Sequence, residues 1–156
     1  ITTTPGNAID YEAVKAQVLK DASTFQIQEL AVDRLFQGYQ MSMQLAEEGL
    51  TVAACGMGFM SMAGPTAELE RRLLSHSLRH GGHALLRWMA NNVAVKEDPA
   101  GNKKPDKAQS QGKIDGIVAL LLALDRDMRH QTTASVYETR GFITLGGQAD
   151  AETETP

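Results

Sequence analysis

Several features that would place a protein in a special class are missing from this chain. It has one cysteine, Cys55, which excludes an internal disulfide and is typical of a reducing compartment. Its longest unbroken apolar stretch, Ile117 to Leu124, is far shorter than the ~20 residues that a membrane helix needs. The first residues, ITTTPGN, have neither the basic nor the apolar region of a signal peptide. We therefore expect a soluble, cytoplasmic protein with no membrane partner.

An excess of positive charge is also missing, since 15 Lys and Arg stand against 19 Asp and Glu. This balance argues against a protein that coats nucleic acid non-specifically, but it allows a local basic patch. The sequence also lacks a phosphate-binding loop, a Rossmann glycine fingerprint and a Ser-His-Asp signature. What is present is the composition of an ordinary globular domain, in a chain whose 156 residues suffice for one core.

Helical and strand-like patterns alternate along the first third of the chain. Asp10 is predicted to cap a first helix, and the apolar run from Ile27 to Val32 predicts a buried parallel strand. A second helix is predicted to end at Gly49, and Leu50 to Cys55 predicts a second strand. This alternation predicts an α/β fold with a mainly parallel sheet and helices packed on it.

The central segments are less regular. Gly56 to Gly64 is predicted as a Met-rich loop, and Pro65 as the first turn of a helix that reaches about Leu78. His83 to Ala90 predicts a short helix and Val93 to Val95 a short strand. Lys96 to Gly112 has no apolar period, which predicts an exposed loop.

The last third is predicted to begin with a helix from Lys113 to Met128. Ile114 to Leu124 is apolar nearly all round, which is typical of a centrally buried helix. Val136 to Leu145 is a candidate hairpin. We expect a domain over residues 1–146 and an acidic, disordered tail over residues 147–156.

Asp115 is the most informative single residue. It lies in the first turn of the apolar helix, where a charged carboxylate beside a dry core is costly unless a cation or strong donors meet it. Gly116, directly after it, leaves room for a close approach to the backbone. The alternative is that Asp115 only favours the start of the helix, and position alone does not separate the two.

Asp33 directly follows the best predicted strand. Ligands of open α/β sheets bind at the carboxyl ends of strands, although Asp33 could also be an N-cap of the next helix. Two carboxylates on separate elements are what a hard cation such as Mg²⁺ or Mn²⁺ requires, because waters and phosphate complete its coordination. Asp33 and Asp115 are therefore our candidate metal ligands and catalytic residues.

A lysine-rich segment leads to Asp115. Residues 96–113 hold five lysines against three acids, a net charge of +2 (5 − 3) in a chain that is negative overall. Lysine contacts to phosphate supply the sequence-independent part of DNA affinity, so Lys104, Lys107 and Lys113 are candidate DNA-binding residues. A solvated loop would also be rich in lysine.

Three histidines follow the predicted central helix, but we do not expect a zinc site. His76 and His80 are one helical turn apart, and His83 follows them. A metalloprotease pattern would have a glutamate between the first two, and none is present. Cys55 is the one thiol that could act as a further zinc ligand.

Several segments, in the same order, resemble the carboxy-terminal nuclease domain of phage large terminase subunits. They are TTPGNAIDY, IQELAVDRLF around Asp33, GPTAELERRLL, LRHGGHALLRWMANNVAV, DPAGNKKPDKAQSQGKIDGIVALLLAL through Asp115, and SVYETRGF. The combination is specific, whereas each piece alone is weak.

The resemblance implies an RNase H-like mixed sheet flanked by helices, in which three acids hold two Mg²⁺ or Mn²⁺ ions. Asp33 would be the second acid and Asp115 the third. The first acid and the opening strands would precede Ile1, so the chain is expected to be an incomplete domain whose own activity is in question. The implied activity is an endonuclease that cuts concatemeric double-stranded DNA during packaging in the host cytoplasm, with an ATPase domain, a small terminase subunit and a portal as partners.

Two other functions remain open from the sequence. A junction resolvase or transposase core would keep the acids but act on other DNA. A catalytically incomplete module that docks on the portal or the small subunit would need no metal. A docking surface, however, would not require the costly position of Asp115 beside the apolar helix.

Overall fold

The structure is a computed structural model that describes residues 3–35 and 37–138, with the side chains of residues 37 and 131–138 left outside the description. Within these ranges lie five helices and four strands. They are, in chain order, α1 (Tyr11–Thr24), β1 (Leu30–Asp33), α2 (Gln37–Glu47), β2 (Val52–Cys55), α3 (Phe59–Leu74), α4 (Ala84–Asn92), β3 (Val95–Glu97), β4 (Lys103–Pro105) and α5 (Asp115–Glu138). No helix in the described part is long and apolar enough to cross a membrane.

The first half of the chain confirms the predicted α/β alternation. The Asp10 carboxylate accepts the backbone N–H of Ala13 at 3.0 Å, which is the predicted N-cap of α1. β1 and β2 pair in parallel, with Asp33 opposite Cys55 at their carboxyl ends. After α2 the chain turns at Gly49, whose φ of +87° is the left-handed conformation predicted there.

The Met-rich segment is the first place where the prediction was wrong. α3 begins at Phe59, so Met60 to Gly64 are helical and Pro65 lies inside the helix rather than in its first turn. Burial of Met62, which is 3% exposed, favours this earlier start. The helix also ends earlier than predicted, at Leu74, because His76 takes a left-handed φ of 53° and the N–H of Ser77 bonds back to the Arg72 carbonyl.

The predicted exposed loop at residues 96–112 contains the antiparallel pair β3–β4. The Asp98 carboxylate closes the connection between these strands by accepting the N–H groups of Ala100 and Asn102, each at 2.9 Å, and Gly101 supplies a positive φ of 81°. An Asp-Pro-Ala-Gly-Asn sequence is a turn signature. The hairpin was not predicted because the strands on either side of this turn are polar and show no alternation of apolar residues.

α5 lies across the core that it shares with the parallel strands and α3. The core cluster consists of Cys55, Met62, Ile114, Ile117, Val118, Leu121 and Leu122. The helix is buried on one face rather than all round, because Asp115, Ala119 and Ala123, spaced four residues apart, form an exposed stripe. It extends to Glu138, so the predicted hairpin does not begin at Val136, and the rest of that segment and the predicted tail over 147–156 lie outside the described residues.

Candidate active site

Asp33 is the last residue of β1, whereas the sequence predicted that it would directly follow the strand. Its Oδ1 accepts the backbone N–H of Leu35 at 3.1 Å, so the carboxylate orders the turn that leaves the strand. The chain then folds back closely, since a Cβ on Gly38 would overlap the backbone carbonyl of Asp33. Any side chain at position 38 would therefore displace the backbone that holds Asp33.

Asp115 is held at the start of α5 by contacts from α4. The Asn92 side-chain amide donates to the Lys113 carbonyl at 3.2 Å, and the N–H of Gly116 approaches the Met89 Sδ at 3.1 Å. The close approach predicted at Gly116 is therefore made by Met89, because a Cβ there would lie 2.8 Å from the same sulfur. Two side chains of one neighbouring helix, α4, thus fix the backbone on either side of Asp115.

The Asp115 carboxylate is not enclosed by the core, which corrects the expectation of a costly dry environment. Its side chain is 60% exposed, because it lies on the solvent stripe of α5. Its Oδ1 accepts a hydrogen bond from the Lys107 Nζ at 2.6 Å. That bond lowers the pKa of the Asp115 carboxyl; partial burial acts in the opposite direction, and the charges of Lys107 and Lys113 add to the lowering. Asp115 is thus an accessible anion with one ammonium partner.

Next to Asp115 is a cavity of about 350 Å³ whose charged rim is mostly lysine. We call it the lysine cavity. Its lining residues are Met57, Met62, Lys96, Lys104, Pro105, Asp106, Lys107, Ala108 and Val118. The Lys104 Nζ donates to the Met57 carbonyl at 3.1 Å and lies 5.1 Å from the centre of the Phe59 ring. Two of the three predicted lysines, Lys104 and Lys107, therefore line one cavity rather than being scattered along an exposed loop.

The lysine cavity is lined by residues that are close in sequence to each predicted acid or to its strand partner, although neither acid is itself a lining residue. Met57 follows by two residues the strand position that pairs with Asp33, and Val118 follows Asp115 by three. Both residues line the cavity, as does Lys107, whose Nζ binds Asp115. Of the predicted DNA-binding residues, Lys104 and Lys107 are lining residues, whereas Lys113 contributes its charge from outside the lining.

The donor chemistry of this edge fits a hard divalent cation, because both candidate ligands are carboxylates and the waters and phosphates of a substrate complete such sites. They do not form a complete protein cage: in residues 3–35 and 37–138 no three His, Cys, Asp or Glu side chains are grouped so that they could hold a metal ion. Asp33 and Asp115 therefore remain predicted ligands.

Two residues of the site were missed in the sequence, Lys96 and Asp106, both of which line the lysine cavity. Asp106 also caps the following turn, where its Oδ1 accepts the N–H of Ala108 at 2.9 Å. The turn between β3 and β4 was the signal that could have found Lys96, because an antiparallel pair around that turn places Lys96 opposite Lys104.

Two of the histidines accept backbone hydrogen bonds, and the cysteine is buried. The His83 Nδ1 accepts the N–H of Leu86 at 3.4 Å as the N-cap of α4, and the His80 Nδ1 accepts the N–H of Gly82 at 3.2 Å. Burial raises the pKa of the Cys55 thiol, which keeps it protonated and a poor nucleophile.

A comparison with protein families decides the membership of this chain. Residues 1–131 match the family described as "Terminase large subunit, endonuclease domain". The chain belongs to that family. The match includes Asp33, Asp115 and all the lysines of the cavity.

Two curated relatives agree with this membership. The chain is 33% identical over 125 residues to the terminase large subunit of Enterobacteria phage HK97, which covers 80% of this chain and 25% of the relative. It is 30% identical over 150 residues to Protein YmfN of Escherichia coli strain K12, which covers 93% of this chain and 33% of the relative. The chain thus spans between a quarter and a third of the length of these relatives.

A solved structure gives the same result for the fold. The crystal structure of the HK97 bacteriophage large terminase superposes with a TM-score of 0.73 at 34% identity, covering 80% of this chain and 26% of that chain. The predicted RNase H-like α/β class is thereby confirmed.

Proposed function

We propose that this terminase domain is a divalent-metal-dependent endonuclease that cuts concatemeric double-stranded DNA during the packaging of a phage genome. The observation that carries the proposal is the ion pair between an accessible carboxylate, Asp115, and Lys107, which is one of three lysines that line the same cavity. A carboxylate that can bind a metal cation therefore lies beside lysines that can bind the phosphate backbone of DNA.

The chain's own residues would have three roles. Asp33 and Asp115 would hold Mg²⁺ or Mn²⁺, with water and phosphate oxygens as further ligands. In a two-ion site the metals would lower the pKa of the attacking water and stabilise the leaving oxygen. Lys104 and Lys107 would hold the phosphate backbone beside the carboxylates, and Lys113 would strengthen the field from outside the cavity.

Lys107 has two roles in this arrangement. Its ammonium neutralises Asp115 at a distance of 2.6 Å, yet its side chain is 61% exposed and ends a flexible stem. An exposed lysine pair of this kind contributes only about 0–1 kcal/mol, so a phosphate can compete for the ammonium. Phosphate contacts alone do not read base sequence, so we propose cutting that is largely sequence-independent.

We propose further that the whole protein works with an ATPase domain, a small terminase subunit and a portal, in the host cytoplasm. These partners come from the resemblance to large terminases.

The test uses the intact protein that contains this domain, and measures linearisation of plasmid DNA with Mg²⁺ or Mn²⁺. Asp33→Asn and Asp115→Asn should each lower the cleavage rate by more than about 100-fold, since loss of a direct ligand should exceed the effect of losing an outer-shell partner. Asp127→Asn, on the same helix and 44% exposed, is the matched control and should keep its activity. Circular dichroism should show an unchanged fold in all three.

The result that would refute the proposal is retained cleavage by Asp115→Asn. Preference for a branched substrate over the plasmid would instead indicate a junction resolvase. No cleavage by the intact wild-type protein would favour the docking module.

A further inference from the structure

Lys107 lies in a turn of residues 106–110, between β4 and α5, which we call the Lys107 turn. The Ser110 N–H closes this turn by donating to the Asp106 carbonyl at 3.1 Å. The Asp106 Oδ1 adds a second bond inside it by accepting the N–H of Ala108 at 2.9 Å. The turn is therefore ordered by its own polar groups, although it belongs to neither neighbouring element.

The Lys107 turn is also bound to the junction between α4 and β3, through both backbone groups of Ala94. The Asp106 N–H donates to the Ala94 carbonyl at 2.9 Å, and the Ala94 N–H donates to the Ser110 Oγ at 3.1 Å. The Ser110 hydroxyl in turn donates to the Asp106 carbonyl at 2.7 Å. One hydroxyl thus joins the two ends of the turn to each other and to Ala94.

The segment that leads from the turn to Asp115 is held by the same junction. The Gln111 N–H donates to the Asn92 carbonyl at 3.2 Å, and the Asn92 side-chain amide donates to the Lys113 carbonyl, also at 3.2 Å. Gly112 permits this approach, because a Cβ there would lie 2.7 Å from the Asn92 Nδ2. Residues 92–94 therefore set where the Lys107 turn lies relative to the start of α5.

Lys107 depends on its backbone for its position more than Lys104 does. Lys104 lies on β4, and its Nζ is anchored by the Met57 carbonyl. The Lys107 side chain is 61% exposed, and its ammonium contacts Asp115 from the end of a flexible stem of fixed length. The ammonium can reach a phosphate beside Asp115 only while the turn holds the Lys107 backbone at the right distance.

We propose that Ser110 is a positioning residue, which acts through Lys107 in the binding of the phosphate backbone of DNA. The inference rests on the proposed function, because it requires Lys107 to contact phosphate. Ser110→Ala would leave Lys107 in the chain but would remove the link from its turn to Ala94. A binding group whose supporting hydrogen bonds are lost keeps its chemistry and loses part of its affinity.

A double-mutant cycle in the intact protein that contains this domain tests the proposal, with duplex DNA binding measured by fluorescence anisotropy without divalent ions. Ser110→Ala should weaken binding about threefold, which is less than the loss from Lys107→Met. In a chain that already carries Lys107→Met, Ser110→Ala should weaken binding no further, whereas independent effects would multiply. Ser110→Thr keeps the hydroxyl and should bind DNA as tightly as wild type.

Ser42→Ala is the matched control. The Ser42 hydroxyl also donates to a backbone carbonyl, that of Tyr39 at 2.6 Å, but Ser42 lies on α2 and does not line the lysine cavity. Its replacement should leave DNA affinity unchanged. Urea denaturation of every variant separates stability from binding, because a purely structural Ser110 would lower the midpoint of unfolding without an effect that depends on Lys107.

Three results would overturn the positioning role while Lys107→Met still weakens binding. They are wild-type affinity in Ser110→Ala, an equal loss from Ser110→Ala with and without Lys107, and a Ser110→Thr variant that binds as weakly as Ser110→Ala. Unchanged affinity in Lys107→Met itself would instead refute the DNA contact in the proposed function, and the positioning role would fall with it.

Discussion

Two parts of α5 carry carboxylates in different surroundings: its first turn, with Asp115, and its middle, residues 125–130. In the first turn, Asp115 is 60% exposed and has one lysine partner. In the middle, the side chain of Asp125 is 15% exposed, and Glu29, brought from the start of β1, is 11% exposed. Asp125 pairs with Arg126 and Arg129, whereas Glu29 accepts from Arg126 at 2.8 Å and from His130 at 2.9 Å.

The difference separates acids that hold the fold from an acid that is available to a ligand. The hydrogen bond from Arg126 lowers the pKa of the Glu29 carboxyl, with a further contribution from His130, although burial opposes it. Arginine offers several fixed donors to a carboxylate, whereas lysine offers a point charge on a flexible stem. The middle of α5 is therefore fixed in place, and its first turn keeps an exchangeable partner.

The largest effect we predict is on the core that lies between the first turn and the middle of α5. Leu121, 1% exposed, belongs to the buried cluster that α5 shares with α3 and β2, so Leu121→Ala should lower the free energy of unfolding by about 2–5 kcal/mol. Urea denaturation measures it as a lower midpoint at an unchanged slope. Leu120→Ala, at a half-buried position, should cost less. Equal stability of the two variants would contradict the central place of Leu121 in this core.

The second prediction compares the ion pairs of the middle and of the first turn of α5. Arg126→Ala removes a cation from two shielded carboxylates and should lower the free energy of unfolding by about 1–2 kcal/mol. Lys107→Ala removes an exposed pair and should change it by less than about 0.5 kcal/mol. Equal losses in the same denaturation experiment would contradict the distinction between a structural middle and a ligand-accessible first turn.

The third prediction concerns DNA binding by the lysine cavity. Lys104→Met and Lys107→Met should each weaken binding of duplex DNA several-fold and reduce the slope of log affinity against log salt by about 0.9. Fluorescence anisotropy at several salt concentrations, without divalent ions, measures both quantities. Lys15→Met is the control, because Lys15 lies on α1, pairs with Glu48 and does not line the lysine cavity. A slope reduced equally by the control would show that the cavity has no special part in binding.

The smallest effect is the pH dependence of the Glu68 pairs. Hydrogen bonds from Arg71 and Arg72 lower the pKa of the Glu68 carboxyl from 4.5 to about 2. A carboxyl with a depressed folded-state pKa stabilises the fold above its unfolded pKa, and this contribution is lost as the pH falls from 4.5 towards about 2. Wild type should therefore be more stable than Glu68→Gln at neutral pH, and urea midpoints of the two should converge in acid. A constant difference would mean that the arginines do not act through the charge of Glu68.

The sequence predicted the parts of this molecule whose signals are local. The cap at Asp10, the turn at Gly49, the parallel strands and the resemblance around Asp33 and Asp115 all depend on short patterns. The start of α3 could not be predicted, because burial of Met62 by a distant helix outweighs the loop-like glycines around it. The exposure of Asp115 could not be predicted either, since the direction of a helix face depends on what packs against it. The lysine cavity required the β3–β4 pair, whose strands have no apolar alternation.

The most direct test of the central claim is anomalous X-ray scattering from crystals of the intact protein soaked with Mn²⁺. We predict a manganese peak in contact with the carboxylates of both Asp33 and Asp115, with the Lys107 ammonium displaced from Asp115. A peak bound to neither carboxylate, or full Mn²⁺ occupancy elsewhere with the Lys107–Asp115 pair intact, would contradict a shared metal site at this edge of the sheet.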